Sequence, residues 1–151
     1  MRDAKRDGRL SDAILACCRL QEEQFRKSFW LHDHVEILRF GSPRNDVLLR
    51  NGKSVEAVEA VKRAYNIEGK NIVLYVPTFR DDKSTACYDI DYDAVIEACE
   101  KRFGGRWVML LRLHPNAQAL CSELHFSERV LDATKWPDIN ELFIASNMAE
   151  E

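Results

Sequence analysis

Apolar residues in this chain fall into two alternating kinds of pattern. Short, nearly continuous apolar runs occupy residues 35–40, 71–76 and 107–113, and a shorter one begins at Arg129-Val130-Leu131. Runs of this length that stop at Gly41, Pro77 and His114-Pro115 predict strands covered on both faces, as in a parallel sheet. Between them the apolar positions repeat at helical spacing. Residues 54–66 carry Val55, Val58, Val61 and Tyr65 on one stripe, with Ser54 as N-cap and Glu56 at the positive end of the dipole. Residues 91–103 carry Tyr92, Val95, Ile96, Cys99 and Phe103, capped by Asp91 and ended by Gly104-Gly105. Residues 138–147 present Ile139, Leu142 and Phe143, with Ala145 at the margin and Ile144 nearer the other face. Asp138 and Glu141 stand there at capping-box spacing. The N-terminal part is open to two readings. Residues 13–17 form a strand followed by a helix over 21–29, or one helix runs from Ser11.

Alternation of strand and helix with short connections predicts an α/β fold built on a doubly wound parallel sheet. In such sheets ligands bind beyond the carboxyl ends of the strands. Three strand ends carry clustered polar residues: 41–46, 77–82 and 114–116. On this reading all three lie along one edge of one sheet. They offer Arg44 and Arg80, whose guanidinium groups suit phosphate, with hydroxyl groups such as Thr78. They also offer His114, a residue type that donates to phosphate or exchanges a proton near neutral pH. Each group has a plainer reading as well. Gly41, Pro43, Asn45 and Asp46 are common turn formers. Arg80 beside Asp81 and Asp82 suits a solvated ion pair. His114 before Pro115 suits a simple strand end.

Composition narrows the classes. The 151 residues are 46% hydrophobic and 31% charged, with a net charge of −3, which leaves no electrostatic footprint for nucleic acid. No apolar run reaches the ~18–20 residues a membrane span needs. The polar start has no apolar signal core, so a cytoplasmic location is expected. The cysteines 17, 18, 87, 99 and 121 are odd in number and show no C-x-x-C spacing. They are expected to be reduced, small core residues rather than a disulfide or zinc framework. His32 and His34 lack partners at metal-ligand spacing. The Phe25, Phe29 and Trp30 cluster suits a core or an interface. No G-x-G-x-x-G or P-loop is present, so the usual dinucleotide and NTP fingerprints are absent and no cofactor is expected, and no G-x-S-x-G nucleophile elbow occurs either.

The strand-end segments also carry a resemblance. Gly41-Ser42-Pro43-Arg44-Asn45-Asp46-Val47-Leu48 is similar to the G-x-P-R-N-D-x-L segment of the CDP-glycerol glycerophosphotransferase family. Leu74-Tyr75-Val76-Pro77-Thr78-Phe79-Arg80-Asp81-Asp82 resembles its L-Y-x-P-T-F-R-D-D, and Arg112-Leu113-His114-Pro115 its R-x-H-P. Asp132 with Pro137-Asp138-Ile139-Asn140-Glu141-Leu142 resembles its D-x-x-x-x-P-D-I-x-E-L run, and Phe25-Arg26-Lys27-Ser28-Phe29 its upstream F-x-x-x-F. Five segments agree in order and separation over residues 12–147.

The resemblance implies a GT-B architecture of two Rossmann-like domains with the donor nucleotide between them. Residues 1–34 would end the acceptor-side domain and form a linker, and 35–151 would be part of the donor-binding domain. The family moves glycerol phosphate from CDP-glycerol to a lipid-linked acceptor of the teichoic-acid or capsular type and releases CMP. By resemblance His114 matches the family's donor-domain histidine, which serves the diphosphate and catalysis. Arg44 and Arg80 are the choices for anion contact on the chemistry of their guanidinium groups, Thr78 is a weaker one, and Pro115 beside His114 completes the expected donor contacts. No W-H-G-T segment with the family's second histidine is found, nor the T-D-Y-S-S loop that follows the E-L-L-x-A-S-D helix. The chain is therefore expected to be a fragment, a truncated product or one piece of a split enzyme, with little activity alone. It would sit peripherally at the inner face of the cell membrane and self-associate through an open sheet edge. The alternatives are a non-catalytic remnant or partner-binding module, and another GT-B nucleotide-sugar glycosyltransferase.

Overall fold

The computed structural model describes residues 2–52, 54–77, 88, 90–114 and 127–150. Among them the chain forms six short strands, and it folds as two units, Met1–Arg50 and Asn51–Glu151.

The first unit holds α1 (Arg2–Leu10), β1 (Ala13–Leu15), α2 (Arg19–Ser28), β2 (Glu36–Leu38), a 3-10 turn at Pro43–Asn45 and most of α3 (Asp46–Asn51). Of the two readings of residues 13–17, the strand is the one observed. β1 and β2 pair in parallel, Ala13 with Glu36 and Leu15 with Leu38. Ala16 and Val35 are buried beside this ladder. Phe25 and Phe29, one helical turn apart, meet edge to face at 5.3 Å.

The second unit carries α4 (Val55–Ala64), β3 (Asn71–Tyr75), α5 (Tyr92–Phe103), β4 (Trp107–Leu111), β5 (Val130–Asp132), α6 (Ile139–Ala145) and β6 (Met148–Glu150). Its four strands form one parallel sheet in the order β5-β4-β3-β6. The apolar runs are continuous because both faces are covered. Val73, Met109, Leu111 and Val130 pack with Ile96 and Cys99 of α5. Ile72, Leu74, Val108 and Leu110 face the other way, onto Val61 of α4 and Leu142 and Ala145 of α6. Ala145, expected at the margin of its helix, is buried there.

The ends of α4, α5 and α6 follow local chemistry, with one exception. Ser54 accepts the Ala57 N–H at 3.2 Å and Asp91 the Ala94 N–H at 2.9 Å, as N-caps do. α5 stops at Gly104, whose φ of 72° suits glycine. At α6, Asp138 accepts the Asn140 N–H at 2.8 Å, but Glu141 does not complete a capping box. Its carboxylate accepts the Trp136 indole N–H at 2.8 Å instead.

Three expectations are corrected. β2 was expected in the same sheet as the other strands, but its ladder groups are taken by β1 in a separate two-stranded sheet. Met148–Glu150, not foreseen as a strand, pairs with β3. Of the described cysteines, Cys99 is buried as expected, while Cys17 and Cys18 are exposed.

Candidate functional site

In the second unit the chain runs from β3 outward to β4 and β5, then returns to place β6 on the other side of β3. That reversal between β3 and β6 is where an open parallel sheet leaves a crevice at its carboxyl edge. The Val76 N–H donates to the Glu150 carbonyl at 2.8 Å across it. Pro77, the last described residue after β3, is buried. On the neighbouring strand the register pairs Tyr75 with Leu111, and the Arg112 N–H donates to the Tyr75 carbonyl at 2.9 Å. Pro77 and His114 therefore leave adjacent parallel strands at the same end of the sheet, as the strand-end reading expected of them.

The end of β4 is tied to the segment after β5. The Leu113 N–H donates to the Thr134 hydroxyl at 3.1 Å, and the Thr134 N–H to the Asp132 carboxylate at 2.8 Å. The Arg112 guanidinium donates to the Trp136 carbonyl at 2.6 Å. Arg112 is thus engaged in structure as well as matching a motif position. Tyr65 stacks at a tilt on Trp136, 5.7 Å between ring centres. Burial, then the Asp132 charge, push the Tyr65 phenol above its usual range, and Arg112 partly opposes them. Beyond this polar cluster His114 is exposed.

Not every candidate follows a strand of that sheet. Arg44 lies in the first unit, exposed in the 3-10 turn after β2, and β2 pairs with β1 rather than joining the four-stranded sheet. Thr78, Arg80 and Pro115 lie outside the described residues, as do Asp81, Asp82, Asn116, Cys87, Cys121 and His125. Thr134 and Trp136 were not singled out in the sequence. The signal for Thr134 is the pair Asp132 and Thr134 at the end of an apolar strand, side chains that bond their own backbone in turns.

The first unit has its own cleft of about 390 Å3, lined by Arg19, Glu22, Glu23, Arg26 and Arg39. Arg19 pairs with Glu23 at 3.2 Å and Arg39 with Glu22 at 3.5 Å. Both pairs are solvated and contribute little to stability. His32 and His34 stack at 5.5 Å, and among the described residues no three His, Cys, Asp or Glu side chains gather as for a metal. No described helix is long and apolar enough to cross a membrane.

Known proteins share this chain's pattern. The family described as CDP-glycerol:poly(glycerophosphate) glycerophosphotransferase matches residues 2–148. A teichoic acid poly(glycerol phosphate) polymerase of Staphylococcus epidermidis is 32% identical over 142 residues, which is 90% of this chain and 19% of that protein. A teichoic acid glycerol-phosphate transferase of Staphylococcus aureus is 30% identical over 115 residues, 74% of this chain and 29% of that protein. The solved wall teichoic acid polymerase TagF superposes with a TM-score of 0.71 at 28% identity, over 98% of this chain and 36% of that one. A variant of TagF soaked with CDPG superposes with a TM-score of 0.70. The chain spans well under half the length of each of these relatives. The α/β fold with a Rossmann-like parallel sheet agrees with part of a GT-B architecture. Because the family match runs through both units and nearly the whole sequence, the chain belongs to the CDP-glycerol:poly(glycerophosphate) glycerophosphotransferase family.

Proposed function

We propose that this chain is part of a transferase that moves glycerol phosphate from CDP-glycerol to a teichoic-acid-type or capsular polymer acceptor. Its second unit would form part of the donor-binding domain. The observation that carries this reading is the carboxyl edge of the four-stranded sheet. There Pro77 and His114 leave adjacent strands, next to the reversal of strand order between β3 and β6. The family match through residues 2–148 supplies the chemical class.

In the proposed reaction an acceptor hydroxyl oxygen attacks the β-phosphorus of CDP-glycerol. A new P–O bond forms, the bridging P–O bond breaks, and CMP leaves with the electron pair. The hydroxyl proton passes to a base. Negative charge grows on the departing phosphate, so positive hydrogen-bond donors aimed at it lower the barrier. His114 is assigned to that diphosphate and to catalysis by resemblance, with Arg44, Arg80, Thr78 and Pro115 as donor contacts, the two arginines for their fit to phosphate. The W-H-G-T histidine is not in this sequence, so the chain alone is expected to bind nucleotide weakly and turn over little or nothing. A cytoplasmic place at the inner membrane face, facing a lipid-linked acceptor, belongs to the same proposal.

The test is a titration of the chain with CDP-glycerol, followed by backbone amide resonances. Shifts are expected at Val76, Arg112, Leu113 and His114. Their absence at saturating ligand overturns the reading. Stronger binding of a UDP-sugar than of CDP-glycerol would move the chain to a nucleotide-sugar glycosyltransferase on the same fold.

A further inference from the structure

β4 leaves its sheet in steps. Its last ladder residue, Leu111, accepts the Ala133 N–H at 2.7 Å on the β5 side. On the β3 side the Arg112 N–H still reaches Tyr75 at 2.9 Å. One residue on, the ladder is continued by a side chain, with the Thr134 hydroxyl accepting the Leu113 N–H at 3.1 Å. The Thr134 N–H donates to the Asp132 carboxylate. Thr134 is 8% exposed and Leu113 2%, while His114, the next residue, is exposed. A second tie runs alongside. The Arg112 guanidinium holds the Trp136 carbonyl, and the Trp136 indole holds Glu141 in the first turn of α6.

We propose that Thr134 is a positioning residue for His114: its buried hydroxyl fixes the Leu113 N–H just past β4 and so sets where the imidazole meets a donor diphosphate. This rests on the assignment of His114 to the diphosphate made above. A buried N–H that loses its acceptor seeks another partner, and the strand end moves to supply one. A histidine one residue beyond follows that movement, and displacement of about 1 Å is costly at a phosphate contact.

The experiment measures CDP-glycerol binding to the full chain by calorimetry for the wild type, Thr134→Val, Thr134→Ser, His114→Ala and the double variant Thr134→Val/His114→Ala. Valine keeps the volume and removes the acceptor, whereas serine keeps the hydroxyl. Thr134→Val is expected to weaken binding roughly ten-fold, because the imidazole is no longer held where the diphosphate meets it. Thr134→Ser should stay within about two-fold of wild type. In the His114→Ala background Thr134→Val should cost nothing further, since the two residues act as one unit. An equal loss in both backgrounds makes Thr134 merely structural and overturns the proposal. If His114→Ala weakens binding but Thr134→Val does not, the positioning role fails and the diphosphate assignment stands. If His114→Ala binds as wild type, the assignment itself fails. Should Thr134→Val not fold, the wild type decides through hydrogen exchange. A protected Leu113 amide supports the tie, and exchange at the open-chain rate overturns it.

Discussion

Asn147 and Ile72 exchange two hydrogen bonds of 2.9 Å each. The Ile72 N–H donates to the Asn147 side-chain oxygen, and the Asn147 N–H to the Ile72 carbonyl. The asparagine stands between α6 and β6, so this reciprocal pair starts the β3–β6 ladder one residue before Val73 meets Met148. It sets the register of the strand that creates the reversal in sheet order.

Removing that side-chain acceptor should loosen β6. Asn147→Ala is expected to lower stability by about 1 kcal/mol, the usual net value of such a bond. Asn147→Asp, which keeps an acceptor oxygen, should cost less. Urea denaturation with amide exchange at Ile72 checks both.

Helix propensity alone says that Gly8→Ala stabilises α1 by up to about 1 kcal/mol. The structure reverses the sign. A Cβ at Gly8 would run into the Phe29 carbonyl, which is backbone and cannot rotate away. Gly8→Ala is therefore expected to destabilise the first unit by about 1–3 kcal/mol, the range for overpacking. Thermal melting, with the Phe25 and Phe29 ring resonances as local probes, reads it.

Leu110 is fully buried among α4, α6 and the sheet, whereas Met148 on β6 is 37% exposed. Leu110→Ala should cost about 2–5 kcal/mol by lost burial and the cavity left behind. Met148→Ala should cost less, because over a third of its surface is already in water. Chemical denaturation of the two variants compares them directly.

The Tyr65 phenol is held above its usual range by burial first and by Asp132 second. The unfolded chain then loses this proton near pH ~10, while the folded chain still keeps it. Folding stability contributed by Tyr65 is fully present below that pH and is lost as pH rises through the folded value. Absorbance titration of the phenolate should show a late step that disappears in Tyr65→Phe. The fall in stability at alkaline pH should be shallower in that variant.

Much of the second unit is legible along the chain. β3 and β4 declare themselves as short apolar runs, and their lack of a polar face marks them as strands of a parallel sheet covered on both sides. Ser54 and Asp91 are readable as caps because the capping bond spans only three residues. Where the partner is remote, sequence reading loses its grip. Glu141 has the spacing of a capping box, yet an indole five residues back in the chain takes its carboxylate. β2 has the composition of a core strand, yet its hydrogen bonds go to β1.

Local periodicity and short-range hydrogen bonds therefore set the identity of most elements, together with the Arg112-Leu113-His114 strand end, because both depend on residues within a turn of one another. Partner choice did not follow from them. Which strand β2 joined, where Met148–Glu150 inserted, and that a hydroxyl 21 residues on would hold the Leu113 amide all depended on folded backbone groups finding acceptors at a distance. A donor N–H carries no mark along the chain of which remote oxygen will receive it.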